Sequence, residues 1–195
     1  MRGVSGAAIA NRSVAGQRRK LDFYPTPPDV THALMLFMDN WRNMTIWEPA
    51  AGDGAMANVL RQYDNEVFET DIATGQDFLT YELDINMYPN AIITNPPFFL
   101  SEEFIRTALG ITPRVAMVFK SQFWHAQKRL KLFREFPPRY VLPLTWRPDF
   151  GGGGAPTMEV LWTVWAPQEL GNPRGTEYIL LERPAGFAAT HFIQL

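Results

Sequence analysis

The sequence predicts an α/β fold with a mostly parallel central sheet and antiparallel strands at one edge. Between Thr45 and Phe136, short apolar segments alternate with segments whose apolar residues recur at helical spacing. That alternation is typical of parallel strands joined by crossover helices. After Pro138 the apolar segments follow one another without a helical pattern between them, which is typical of hairpin-like strands. The 195 residues suffice for one ordinary domain, which we expect to span 21–195.

The N-terminal part of the chain predicts an arm followed by a helix. Residues 1–20 contain five basic residues, no acidic residue and no apolar periodicity, so we expect a flexible basic arm. The prolines at 25, 27 and 28 exclude a continuous helix through residues 23–28. A helix can begin at the end of this segment, with Thr26 as its N-cap and Pro27 and Pro28 in its first turn, and it is predicted to end near Trp41.

The remaining elements follow from apolar runs and from apolar residues at helical spacing. Strands are predicted at 45–48, 66–72, 91–94, 115–119, 140–144, 160–165 and 178–181. Helices are predicted at 56–63, from an N-cap at Ser101 onward, and at 123–136, where the helix would be basic and amphipathic. The residues at 147–154, which end in four glycines, predict a loop.

Composition and charge exclude several classes of protein. The absence of cysteine excludes a disulfide framework, a cysteine-ligated zinc site and a cysteine nucleophile. Without a membrane-length apolar stretch or a signal-peptide core, we expect a cytoplasmic protein with no membrane contact. Residues 21–100 contain 2 basic and 12 acidic residues, whereas 101–150 contain 9 basic and 4 acidic ones. The basic segments either contact a polyanion or form a solvated face.

A nucleotide site is indicated where the first two predicted strands end. Glu48 ends the first strand, and Gly52 and Gly54 lead into a helix whose free amides can meet a ligand. Asp71 ends the second strand, where a carboxylate can accept hydrogen bonds from both ribose hydroxyls. Ile72 would then pack on an adenine face. Asp77 could contact the adenine amine or cap a helix, and an ordinary strand–turn–helix explains the glycines equally well.

The segment Asn95-Pro96-Pro97-Phe98 directly follows the apolar strand at 91–94. Its prolines hold the backbone extended, and the Asn95 side-chain oxygen and the next carbonyl can accept both hydrogens of one planar amine. Two fixed acceptors would turn the lone pair of that amine toward an electrophile. Phe98 would stack on an extruded base. The alternative interpretation is a rigid turn that ends the strand.

With these residues the chain resembles the class I S-adenosylmethionine-dependent methyltransferases, and among them the small adenine-N6 DNA methyltransferases common in phages and prophages. The resemblance covers residues 21–166 and implies a Rossmann-like fold. Segment 48–54 resembles the family's cofactor loop, 95–98 its catalytic tetrad, and 23–27 the part that closes over the methionine end of the cofactor. The cofactor-binding residues implied by it are Tyr24, Pro25, Thr26, Glu48, Pro49, Ala50, Gly52, Gly54, Asp71, Ile72, Asp77, Phe78 and Asn95.

The resemblance also implies a reaction and its partners. A methyl group would pass from S-adenosylmethionine to the N6 amine of adenine in DNA, leaving S-adenosylhomocysteine, in a bacterial or phage-infected cell. No metal is needed. The catalytic residues would be Asn95, Pro96, Pro97 and Phe98. The DNA contacts would come from Lys120, Lys128, Arg129, Lys131 and Arg147. Trp146 would pack either on the flipped base or in the core.

Several alternatives stay open. The same amine chemistry fits the N4 amine of cytosine, an RNA base or a protein glutamine, and a catalytically silent DNA-binding protein would keep the same fold. Methylation at cytosine C5 is excluded because it needs a cysteine thiolate. The family more often has Asp at the position of Glu48, and we expect no separate target-recognition domain. Sequence specificity would then need a second copy of the chain or an accessory partner.

Overall fold

The computed structural model describes residues 25–84, 88–154, 156–167 and 175–186. The basic arm expected over 1–20 and the predicted cofactor residue Tyr24 lie outside these ranges. The described strands form one seven-stranded sheet in the order β2–β1–β3–β4–β6–β5–β7. Their bounds are Thr45–Glu48 for β1, Glu66–Glu69 for β2, Ala91–Thr94 for β3, Val115–Lys120 for β4, Tyr140–Pro143 for β5, Val160–Trp165 for β6 and Glu177–Tyr178 for β7.

The sheet is mostly parallel, and the predicted fold class is confirmed. β1 pairs in parallel with β2 and β3, and β3 pairs in parallel with β4. The antiparallel pairings lie on the C-terminal side of the sheet, where β6 runs against both β4 and β5. β7 pairs in parallel with β5, so β6 is the one strand of the described sheet that runs against the others.

Helices cover both faces of the sheet. The described α-helices are Pro28–Phe37 (α1), Ala55–Arg61 (α2), Ser101–Ile111 (α3) and Leu130–Glu135 (α4). α1 and α2 pack with Ile46 and Ile93 in one core cluster, whereas α3 and α4 pack with Trp47 and Ile92 in the other. Because neighbouring strand residues point to opposite faces, burial on both faces explains the uninterrupted apolar runs. None of the described helices has the length and apolar character that crossing a membrane requires.

Two predicted N-caps are wrong. α1 begins after Pro27, whose extended backbone (φ −56°, ψ 139°) precedes the helix, and no side chain caps it. The hydroxyl of Thr26 instead accepts a hydrogen bond from the side-chain amide of Asn95. Ser101 is the first residue of α3 rather than its cap, and its hydroxyl donates to the Phe98 carbonyl at 2.8 Å. Both hydroxyls therefore bond to the segment after β3.

The basic amphipathic helix predicted at 123–136 is also wrong. Two 3-10 turns, Ser121–His125 and Gln127–Arg129, precede the short helix α4. Trp124 stacks on Phe133 with 4.0 Å between the ring centroids. Nine residues of continuous helix would separate these two rings by about 13 Å along the axis. Ring stacking therefore outweighs helix propensity in this segment.

Smaller differences concern the ends of elements. α1 ends at Phe37 and a separate 3-10 turn, Asp39–Trp41, follows it. β2 ends at Glu69, because Asp71 caps a 3-10 turn at Ile72–Thr74. At the C-terminal side, Glu177–Tyr178 forms β7, and Leu181 adds a single bridge to Leu144.

Candidate functional site

The predicted catalytic and cofactor segments meet at one edge of the sheet. β1, β2, β3 and β4 are parallel, so their carboxyl ends lie at the same edge. The loop at 49–54 follows β1, Asp71 follows β2, and Asn95 follows β3. Because β6 is antiparallel to β5, the loop at 144–159 that joins them opens at this edge as well. The topology thus brings four separate segments together.

The loop between β1 and α2 needs its glycines. Gly52 and Gly54 have φ angles of 58° and 80°, in the left-handed region where a side chain is strained. A Cβ at Gly54 would also lie 3.0 Å from the Oε2 atom of Glu69. The amide of Gly52 donates to Asp71 at 2.9 Å. The glycine loop is therefore tied to the end of β2 before any ligand arrives.

Asp71 is fixed by two backbone amides. Its Oδ2 accepts from Gly52 at 2.9 Å and its Oδ1 accepts from Ala73 at 2.7 Å. A carboxylate has about four lone-pair positions. Two acceptor positions therefore remain on a half-buried carboxylate whose orientation is set by the backbone.

Glu48 is the most deeply buried acidic residue of this edge, with 2% of its surface exposed. The backbone amide of Ala57 donates to its carboxyl group, whereas Oε2 has no hydrogen-bond partner among the described residues. Burial raises the pKa of Glu48 well above its usual range, and the nearby carboxylate of Glu69 raises it further. Asp71 and Asp53 act in the same direction. A bound cation would offset this concentration of negative charge.

The three other predicted adenine contacts, Asp77, Phe78 and Ile72, differ in burial and in their neighbours. Asp77 accepts a hydrogen bond from the amide of Leu79 at 3.2 Å and so acts as a turn cap in this structure. Phe78 is 2% exposed and packs in the core against Trp47 and Phe104, with ring centroids 5.0 and 4.8 Å away. Ile72 is half-buried and begins the turn after Asp71.

The tetrad leaves β3 in an extended conformation. Asn95 is half-buried, and its Nδ2 donates to the Thr26 hydroxyl at 3.1 Å. Pro97 keeps φ −53° and ψ 120°, and Phe98 begins a 3-10 turn that leads into α3. The Oδ1 atom of Asn95 is buried, so a ligand would reach it only after the atoms that cover it move. Thr26 therefore links the segment at 25–27 to the tetrad.

The five predicted DNA contacts do not share one helix face. The ammonium of Lys120 lies over the Phe98 ring, 4.3 Å from its centroid. Arg129 donates to the Phe123 carbonyl at 2.9 Å and covers the Phe123 ring, and burial lowers the pKa of its guanidinium. Lys128 and Lys131 are exposed.

The remaining predicted contact, Arg147, pairs with Glu159 at 2.6 Å. This ion pair joins the two ends of the β5–β6 loop. Trp146 is partly buried and packs against the core, which is one of the two positions expected for it from the sequence.

Two acidic residues of this region, Glu69 and Asp29, were not identified from the sequence. Glu69 forms an ion pair with Arg61, and its carboxylate lies close to Gly54. The sequence signal for Glu69 was its position two residues before Asp71, near the end of a predicted strand. Asp29, 3% exposed in α1, accepts hydrogen bonds from Trp146 and Arg183. Nothing in its sequence context distinguishes Asp29 from an ordinary first-turn acid. Among the described residues, no group of three or more potential ligands could hold a metal ion.

Solved structures with the same fold are found by comparison. A protein from Listeria monocytogenes described as a class I S-adenosylmethionine-dependent methyltransferase is 15% identical, with a TM-score of 0.57 over 81% of this chain and 65% of its own. The methyltransferase subunit of a type I restriction-modification system from Streptococcus thermophilus is 13% identical, with a TM-score of 0.59 over 82% and 47%. A modification subunit of a type I restriction enzyme from Vibrio vulnificus is 13% identical, with a TM-score of 0.57 over 95% and 54%.

These comparisons define the fold of the chain as that of the class I methyltransferases. The chain covers 65%, 47% and 54% of the lengths of the three proteins, so it spans less than two thirds of each. No protein-family model and no curated protein matches the sequence.

Proposed function

We propose that this protein transfers a methyl group from S-adenosylmethionine to the N6 amine of adenine in DNA. The observation that carries the proposal is the meeting of the 95–98 tetrad with the Gly52–Gly54 corner at one sheet edge of a class I methyltransferase fold. One similar structure is the methyltransferase subunit of a type I restriction-modification system and another is a modification subunit of a type I restriction enzyme, which favours DNA as the target.

The residues at the ends of β1 and β2 fit this cofactor. S-adenosylmethionine carries a sulfonium and an ammonium group. The buried Oε2 of Glu48, which has no hydrogen-bond partner in the part of the chain that the structure describes, suits a cationic donor. The two open acceptor positions of Asp71 suit the ribose hydroxyls. Pro49, Ala50, Gly52 and Gly54 would line the cofactor with backbone, while Pro25 and Thr26 would cover its methionine end. Asp77 and Ile72 remain proposed adenine contacts, whereas Phe78, which packs in the core against Trp47 and Phe104, is not proposed as a direct contact.

The tetrad would prepare the target amine. The cofactor supplies an electrophilic methyl group when bound. Asn95 Oδ1 and the Pro96 carbonyl would accept the two amine hydrogens, so the nitrogen lone pair points out of the base plane toward that methyl group. The transfer would form the N–C bond, break the C–S bond, leave S-adenosylhomocysteine and pass one amine proton to solvent. Pro96 and Pro97 restrict the backbone that carries both acceptors, and Phe98 would stack on the base.

The other targets differ in what the surface must bind. Cytosine N4 and an RNA adenine present the same planar amine, whereas a protein glutamine calls for no polyanion site. Lys120 beside the tetrad and the exposed Lys128 and Lys131 favour a nucleic acid. We expect further specificity to come from a second copy of the chain or from an accessory partner. A catalytically silent protein would bind DNA without transferring the methyl group.

The test is transfer of radiolabelled methyl from S-adenosylmethionine by the full chain to unmethylated DNA, RNA or cell protein, followed by digestion and identification of the modified unit. We expect N6-methyladenine in DNA only. Label confined to RNA or protein, or found as N4-methylcytosine, would replace the proposed target, and no label in any of them would support the silent protein.

A variant of the tetrad tests the mechanism in the same assay. Asn95→Ala removes one amine acceptor, so we expect the rate of transfer to fall at least about a hundredfold. Binding of S-adenosylmethionine should remain measurable by calorimetry and should weaken far less than the rate of transfer falls, because Asp71 and the glycine loop are unchanged. Full activity of this variant would refute the role of Asn95.

A further inference from the structure

Asp29 connects three distant parts of the chain through one buried carboxylate. It lies in the first turn of α1 and is 3% exposed. Its Oδ2 accepts from the indole Nε1 of Trp146 at 2.9 Å and from Nε of Arg183 at 2.8 Å. Hydrogen bonds to an ionised group are about twice as strong as neutral ones. The carboxylate therefore fixes both partners to α1.

Trp146 lies near the start of the β5–β6 loop. The two ends of this loop are joined by an ion pair, and its glycines are exposed. The Arg147–Glu159 pair closes the base, and Phe150, 6% exposed, anchors the loop in the core. Asp149 accepts hydrogen bonds from the amides of Gly151 and Gly154. The glycines at 151–154 are exposed.

The base of this loop adjoins the tetrad. The amide of Ser121 donates to the Glu159 carbonyl at 3.0 Å, and Lys120 is in register with Val160. Lys120 in turn covers the Phe98 ring. A short chain of contacts therefore leads from the closed end of the loop to the residue proposed to stack on the base.

Asp29 is tied to the tetrad from the other side as well. Thr26, whose hydroxyl accepts from Asn95, lies three residues before Asp29. Pro27 and Pro28 connect them, and their fixed φ angles make this link stiff. Asp29 is thus linked to Thr26 along the chain and to Trp146 by a hydrogen bond, and Thr26 contacts Asn95.

Resting on the function proposed above, we propose that Asp29 is a positioning residue for the target nucleotide. It holds the β5–β6 loop against α1, in register with Asn95 and Phe98, so that the loop forms one wall of the site that receives the extruded base. Most neighbouring buried positions of α1 are apolar, namely Val30, Ala33, Leu34 and Met35. An isolated buried carboxylate is costly, so the burial of Asp29 among these residues depends on its two donors, Trp146 and Arg183.

The experiment removes the two donors separately in the full chain. Trp146→Phe deletes the indole donor and keeps an aromatic ring, while Arg183→Met deletes the cation. We expect each variant to raise the KM for DNA about five- to tenfold, because a hydrogen bond to a charged group is lost. The Kd for S-adenosylmethionine should stay within about twofold of wild type. Arg183→Lys, which keeps the charge, should restore most of the wild-type KM.

The matched control is Trp165→Phe. Trp165 donates its indole N–H to the Phe136 carbonyl at 3.0 Å, and it ends β6 at the opposite edge of the sheet. This variant loses the same kind of hydrogen bond away from the site, so we expect a lower melting temperature with an unchanged KM for DNA. Kinetics are measured where circular dichroism shows every variant to be fully folded.

The outcomes separate the two proposals. If wild type methylates DNA and Trp146→Phe and Arg183→Met keep its KM, the positioning role is overturned and Asp29 serves stability alone. A KM that rises equally in Trp165→Phe overturns it too, since the effect would then follow from stability. If wild type transfers no methyl group to DNA, the proposed function fails and the positioning role fails with it.

Discussion

The two halves of the site are held together in different ways. In the half formed by β1 and β2, Asp71 and Asp77 bond to backbone amides of the same half: Asp71 to Ala73 and Gly52, and Asp77 to Leu79. In the half formed by β4, β5 and β6, the contacts join distant segments, such as Trp146 with Asp29. The first half is held by backbone hydrogen bonds within one strand–helix–strand unit, whereas the second half depends on packing between segments far apart in the chain.

This difference predicts that a substitution in the β1–β2 half weakens the binding of the cofactor and leaves the binding of DNA unchanged. Asp71→Ala removes the acceptor for two backbone amides and both proposed ribose contacts. We expect the Kd for S-adenosylmethionine to rise about a hundredfold, since each bond to a carboxylate contributes about 1.5–3 kcal/mol. Calorimetry measures this effect. Glu82→Ala, at an exposed acidic position, serves as the control and should bind the cofactor as wild type does.

The KM for DNA sharpens the same comparison. At saturating cofactor, Asp71→Ala should keep the wild-type KM for DNA, because its bonds stay within the β1–β2 half. A KM for DNA that rises together with the cofactor Kd would show that the two halves form one cooperative unit.

Glu48→Gln should separate stability from binding. The pKa of Glu48 is raised in the folded protein, so the folded state takes up a proton relative to the unfolded state. Wild type therefore loses stability as the pH rises from about 4.3, the usual value for glutamate, through the raised pKa. At pH 7 we expect the neutral glutamine to stabilise the fold by about 1–2 kcal/mol in urea unfolding.

The same variant should bind the cofactor about tenfold more weakly, because the cofactor ammonium loses its anionic partner. Wild-type affinity should rise with pH through the raised pKa of Glu48, since binding a cation favours the ionised carboxylate. The glutamine variant should lack this pH dependence in calorimetry. Cofactor affinity that depends on pH equally in both proteins would contradict the contact.

Sequence alone predicts the parts whose contacts are local. β1, β3 and β6 have the predicted bounds, because their apolar runs are buried on both faces and end in turn residues. Gly52 and Gly54 follow β1 and Asp71 follows β2, because the apolar runs of the two strands show where each one ends. Local hydrogen bonds leave a pattern in the sequence that can be interpreted one segment at a time.

The parts that sequence misses depend on partners far along the chain. Trp124 and Phe133 replace the predicted helix with turns because their rings stack. The Asp29–Trp146 bond joins residues 117 positions apart, and no spacing rule indicates such a pair. Thr26 has the residue type of an N-cap, yet its hydroxyl serves Asn95. In each case tertiary packing decides between local alternatives of similar energy.

Lys120→Met is expected to have the smallest effect of these variants, and it tests a single contact in the half formed by β4, β5 and β6. The variant keeps an aliphatic stem over the Phe98 ring and loses the ammonium. We expect the KM for DNA to rise about threefold and its salt dependence to weaken by about one phosphate contact, with cofactor binding unchanged. Lys131→Met, on the exposed face of α4, is the matched control. Equal effects of the two variants would mean that Lys120 adds only to the general basic charge, whereas a larger effect of Lys120→Met assigns it a place beside the stacked base.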